Sequence, residues 1–196
     1  MSAMNPLPNA AQAALLVMLG GILGGCHNEA KPAAAPASDF RPRASIAEVM
    51  ESVVVPSADV LWNATAYDIS AEGVKDFSPK TDEDWEKVEW AGVNLAEGLN
   101  ALLIPGRRVA PPGTVSESPE HELNPAQIEE ILKKEPQVWV GFVHALDDTV
   151  QEIQEAIRKH DLKALNEAGG ALDEVCENCH LHFWYPNDAK IISPQK

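Results

Sequence analysis

No second cysteine pair accompanies Cys176 and Cys179; the one other thiol, Cys26, stands far away near the N-terminus. That scarcity weighs against a structural zinc site, which usually draws two ligand pairs from separate segments. Basic side chains are also few, 15 Lys and Arg against 30 Asp and Glu, for a formal net charge of −15. Phosphates repel such a chain, so nucleic acid is excluded as a partner. There is no strand alternation of useful length, no internal repeat and no βαβ pattern, which removes a thioredoxin-like setting for the Cys pair. Nor is there a phosphate loop, a nucleophile–base pair or a carboxylate dyad, so a carrier rather than an enzyme is expected. The longest apolar run, Ala10–Gly25, is broken by Gln12 and is short for a membrane span, which needs ~20 residues.

What the chain does have is Cys176-Glu177-Asn178-Cys179-His180, a C-x-x-C-H run. This is the attachment signature of c-type haem. Two thiols add across the vinyl groups of the macrocycle, and the next imidazole becomes the proximal ligand of the iron. On a helix, positions i, i+3 and i+4 share one face, where a flat macrocycle can meet all three residues. The alternative is a haem-free metal-binding module using Cys176, Cys179, His180 and His182, although four ligands in seven residues surround an ion poorly.

Residues 1–25 look like a secretory leader of lipoprotein type. The run Leu23-Gly24-Gly25-Cys26 resembles a bacterial lipobox, with Cys26 as the lipidated residue, although the leader contains no Lys or Arg. The competing reading is cleavage elsewhere or an uncleaved anchor. Export fits covalent haem attachment, which occurs outside the bacterial inner membrane, and places the protein in the periplasm, held to the membrane by lipid. Residues 26–43 are Pro/Ala-rich and read as a tether. The folded domain is expected over 44–187, followed by a tail over 188–196.

Four helices are expected in that domain. Ser45 and Glu48 form a capping box that opens helix A, with Ile46, Val49, Met50 and Val53 at helical spacing and an interruption at Pro56. Asp68–Lys80 reads as a polar loop. Thr81 caps helix B, whose stripe of Trp85, Val88, Leu95, Leu99 and Leu102 ends at Pro105-Gly106. The Pro-rich segment Arg107–Leu123 has no periodicity, and a loop of that length is often functional or mobile. Asn124-Pro125 starts a short helical run. Helix C covers Val138–Lys159, and helix D follows the His160-Asp161 corner and carries the haem motif near its C-terminal end. Apolar stripes of this kind predict an all-α, up-down-up-down four-helix bundle.

A haem motif near the end of the last helix of such a bundle resembles the class II cytochromes c, the cytochrome c′ family. Cys176, Cys179, His180 and Phe183 carry the resemblance, which covers roughly Ser45–Pro186. The connections between helices A and B and between B and C are longer than is typical of the family. Trp184-Tyr185-Pro186 also stands where a basic residue often follows the motif. The resemblance implies one covalent haem c, with His180 on the iron, and contacts between helices A and B as the route to a homodimer. In low-spin members a helix A methionine ligates the iron opposite the motif histidine, and Met50 matches it.

In the expected topology the end of helix D is level with the start of A, the end of B and the start of C. Ile46, Val49, Val53, Leu102, Trp139 and Phe142 are therefore the expected haem-pocket walls. Ligation by Met50 predicts a six-coordinate electron carrier. A packing role for Met50 leaves the iron five-coordinate, and family members of that type bind nitric oxide or carbon monoxide. The acidic surface predicts a redox partner with a basic docking face. Arg107 and Arg108 read either as solvated charges or as partners of the haem carboxylates.

Overall fold

The computed structural model describes residues 39–188. The leader, Cys26, the tether before residue 39 and the tail beyond residue 188 lie outside the described residues. The described chain is mainly helical. It begins with helix α1 (Ile46–Val49), a π-helical turn (Met50–Val54) and α2 (Val55–Asn63). A hairpin of β1 (Tyr67–Ser70) and β2 (Gly73–Asp76) follows, and then α3 (Asp82–Leu102), α4 (Pro125–Lys134), α5 (Pro136–Arg158) and α6 (Leu162–Phe183).

Local chemistry sets the helix starts. Ser45, Thr81 and Asn124 each accept from the backbone N–H three residues on, and Glu48, Asp84 and Gln127 reciprocate. Each box satisfies N–H groups that a helix start leaves without partners. Asp161 caps α6 by accepting from Ala164 N at 3.0 Å. His160 turns the α5–α6 corner in the left-handed region, φ 53°. Its ring stacks on Trp85 at 4.3 Å between centroids, which fixes that corner against α3.

Helix A differs from expectation in an informative way. Pro56 lacks an N–H and crowds the carbonyl four residues earlier, at Ser52. The distortion appears before the proline as a wide turn, in which Val55 N–H reaches back five residues to Met50 O. The π turn absorbs the missing bond, and α2 restarts with Pro56 in its first turn. Such turns are rare and recur at functional sites.

The hairpin corrects the polar loop expected over Asp68–Lys80. Tyr67 pairs with Asp76 and Ile69 with Val74 in antiparallel register. Both strands are exposed along their whole length, so no buried face imposed the alternation by which strands are recognised.

α5 packs on α6 and α3, and α2 packs on α3 and α6. Leu61, Leu95, Leu99, Val143, Val150, Ile153, Leu165 and Leu172 fill the space between them and are almost wholly buried. Each such side chain contributes roughly 1.5–3 kcal/mol of transfer free energy. Trp62 Nε1 donates to Gly169 O at 2.9 Å and ties α2 to α6. Gln154 Nε2 donates to Gly92 O at 3.3 Å and ties α5 to α3.

Candidate functional site

The Cys176–His180 run lies in the last two turns of α6. Cys179 is buried, while Cys176 and His180 are half-buried. Burial pushes the Cys176 thiol up to about 11, with help from the nearby Asp173 carboxylate. Burial likewise pushes the Cys179 thiol up to about 12. The His180 imidazole is held below its ordinary value because burial disfavours its charged form, against the pull of Glu177.

His180 and Cys179 face a cavity of about 440 Å³. Its other walls include Ile46 and Met50 from the start of helix A, Trp139 from α5, and Phe183 and Trp184 at the end of α6. Met50 stands at the first position of the π turn. The cavity thus brings together the motif histidine, one motif thiol and the helix A methionine expected opposite them. Its size falls in the range of small-molecule and cofactor sites, and its walls are mostly apolar. The donors on its wall are one imidazole, one thioether and one thiol, with the second motif thiol one turn away on the same helix, a set that fits a haem. Cys176 does not line the cavity but packs against the core beside it.

Several expected wall residues stand elsewhere. Val49 and Leu102 are buried in the common core at 5% and 2% exposure. Val53 turns toward α3, where it sits against Gly98. Phe142 lies behind Phe183, edge-to-face at 5.8 Å. They occupy the right level along the helices but not the right side of them. Their places on the cavity wall are taken by Val109, Ala110, Val115 and Leu123 from the Pro-rich segment, and by Ile128 and Leu132 from α4. The one advance sign of this was the apolar spacing of Ile128, Ile131 and Leu132 in a helix with no assigned role.

The Arg107–Leu123 segment is knitted down over this end of the molecule. Ile46 N and Ala47 N donate to Arg108 O and Val109 O at 2.8 and 2.9 Å, so the loop satisfies the first N–H groups of α1. Leu123 N donates to Trp184 O at 2.8 Å. Arg107 donates to Ala101 O at 2.8 Å and also to Ala44 O. Arg108 donates to Glu129 at 2.6 Å. Both arginines hold the loop, and among the described residues no Lys or Arg lines the cavity, whose lining includes Glu51, Glu117 and Glu122.

His182, the fourth residue of the haem-free alternative, turns away from the two thiols. His182 Nε2 lies 2.8 Å from Glu135 Oε2, and its ring tilts against Phe142. Among the described residues no group of His, Cys, Asp or Glu side chains converges on a metal position. His121 is paired with Asp188, and His144 is exposed.

No protein-family model, curated protein or solved structure matches this chain.

Proposed function

We propose that this chain is an exported monohaem c-type cytochrome of the c′ type, anchored by lipid on Cys26, that carries single electrons in the bacterial periplasm. The carrying observation is that Met50 and His180, from opposite ends of the described chain, line one apolar cavity together with Cys179. The contacts among α2, α3, α5 and α6 support reading the helices as an up-down-up-down bundle, with α4 as an addition.

Cys176 and Cys179 would bind the haem covalently, and His180 and Met50 would ligate its iron. A bound haem supplies a one-electron couple, which none of the protein's own side chains offers. Ile46, Trp139 and Phe183 give the site apolar walls, and the loop over Arg107–Leu123 supplies a further wall. Two fixed ligands held by packed helices leave little to rearrange when the charge changes, which suits electron transfer. A net charge of −15 favours a partner with a basic face.

A second reading has Met50 as wall rather than ligand. The apolar side chains of Ile46, Ala47, Val109 and Ala110 around it would admit a small uncharged gas such as nitric oxide or carbon monoxide.

The test is attachment itself. Protein matured in a host that ligates haem c should gain the mass of one haem, resistant to denaturant. Cys176→Ser with Cys179→Ser should abolish it. A mature chain without that mass would end the proposal.

A further inference from the structure

Glu177 lies inside the haem motif, and the chain beyond α6 turns back to meet it. Trp184 N and Tyr185 N both donate to His180 O, at 2.8 and 3.0 Å. This closing turn lays Tyr185 against the last turns of the helix. Its hydroxyl donates to Glu177 Oε2 at 2.7 Å. The His180 ring therefore has two aromatic walls. Trp184 meets it edge-to-face, 5.3 Å between centroids at 89°, and Tyr185 is at 6.0 Å and 54°. Trp184 is itself held through its carbonyl by Leu123 N.

We infer that Tyr185 and Glu177 form a bracket that positions His180 and holds one negative charge beside it, and that this bracket lowers the reduction potential of the iron that His180 would bind. The inference rests on the haem reading above. Groups around a metal-bound histidine orient the ring and tune the metal. Here the carboxylate is three residues before the histidine on one helix, and so on its side. Left to itself, a glutamate in that position would swing into water, where its charge is screened. The Tyr185 hydroxyl keeps it in place. A fixed negative charge favours the oxidised, more positive iron. Glu174 serves as a control because it is exposed and lies on the same turn of α6.

The experiment is a spectroelectrochemical titration of the full haem-loaded chain and of three variants, each checked for equal haem content and helical circular dichroism. At a fixed applied potential, Glu177→Gln should raise the ratio of reduced to oxidised protein by about tenfold, which corresponds to ~59 mV for one electron. Tyr185→Phe keeps the ring but removes the donor, so it should shift the ratio the same way by about threefold. Glu174→Gln should shift it by less than either. The oxidised electron paramagnetic resonance spectrum should change in Tyr185→Phe and not in Glu174→Gln, because only the former releases the carboxylate held beside the imidazole. Equal shifts for Glu177→Gln and Glu174→Gln would overturn the bracket, as would a Tyr185→Phe protein with wild-type potential and spectrum. Absence of haem bands in the wild-type chain would instead remove the haem reading, and the inference with it.

Discussion

Gly98 offers a quantitative check on how helix A is held beside the candidate site. A Cβ built there would meet Val53 Cγ1 at 3.0 Å and Val54 Cγ2 at 3.2 Å. Both neighbours are β-branched, with little rotamer freedom to yield. Both also sit in the π turn that begins at Met50. Replacing a mid-helix glycine by alanine ordinarily gains about 0.5–1 kcal/mol. Overpacking a closed contact costs typically ~1–3 kcal/mol. Set against that gain, the overpacking cost leaves Gly98→Ala destabilised by up to about 2.5 kcal/mol. Gly141 in α5 is the internal control, because nothing lies within 4 Å of a Cβ there. Gly141→Ala should stabilise by about 0.5–1 kcal/mol. Urea unfolding followed by circular dichroism on matched preparations reads both, with the midpoints moving in opposite directions at unchanged slope. A Gly98→Ala protein as stabilised as Gly141→Ala would refute the packing argument, and with it the claim that α3 clamps the π turn. The same variant should alter the optical spectrum of the haem-loaded protein, since pressure on Val53 and Val54 is passed to Met50.

Leu172 is completely buried, one turn before the motif. Leu172→Ala should cost ~2–5 kcal/mol by chemical denaturation. Asn124→Ala removes the cap of α4 and should cost about 0.5–2 kcal/mol, loosening one wall of the cavity. In haem-free folded protein both motif thiols are raised above their ordinary 9.0, to about 11 and about 12. A raised thiol value favours the neutral form in the fold. The stability that comes from it is therefore complete below pH 9.0 and is lost as pH climbs through about 11 and about 12. Alkylation of Cys176 at pH 8 should accordingly be about 100-fold slower in the folded than in the urea-unfolded chain, and that of Cys179 slower still. Equal rates would show that the thiols are not buried. Electron exchange with a basic redox protein should slow as salt rises, and a rate insensitive to ionic strength would remove charge from the docking account.

The helix starts were readable because capping is local chemistry. Ser45, Thr81 and Asn124 each needed only a partner three residues on, and each has it. The placing of the Cys176–His180 run on the last helix was readable for the same reason, since its residues are neighbours in sequence. The walls of the cavity were less so. Heptad spacing places Val49, Val53 and Leu102 at the right level along the helices, but the direction in which each points depends on packing around the axis. The π turn complicates this further, because a five-residue hydrogen bond rotates everything after Met50 by a different amount from an α turn. The Pro-rich segment carries no period at all. Its role comes from the carbonyls of Arg108 and Val109, which any sequence would supply, meeting the bare start of α1. The hairpin at Tyr67–Asp76 leaves no alternation in the sequence because neither of its faces is buried.

The central claim is that His180 and Met50 hold one iron between them. The most direct measurement is the optical spectrum, oxidised and reduced, of full-length protein matured with haem c, together with that of Met50→Ala. A low-spin spectrum in the parent that becomes high-spin in the variant is the predicted result and supports electron transfer. A high-spin spectrum unchanged by the substitution would contradict Met50 ligation and favour the gas-binding reading, and the absence of any haem bands would contradict the account from its first step.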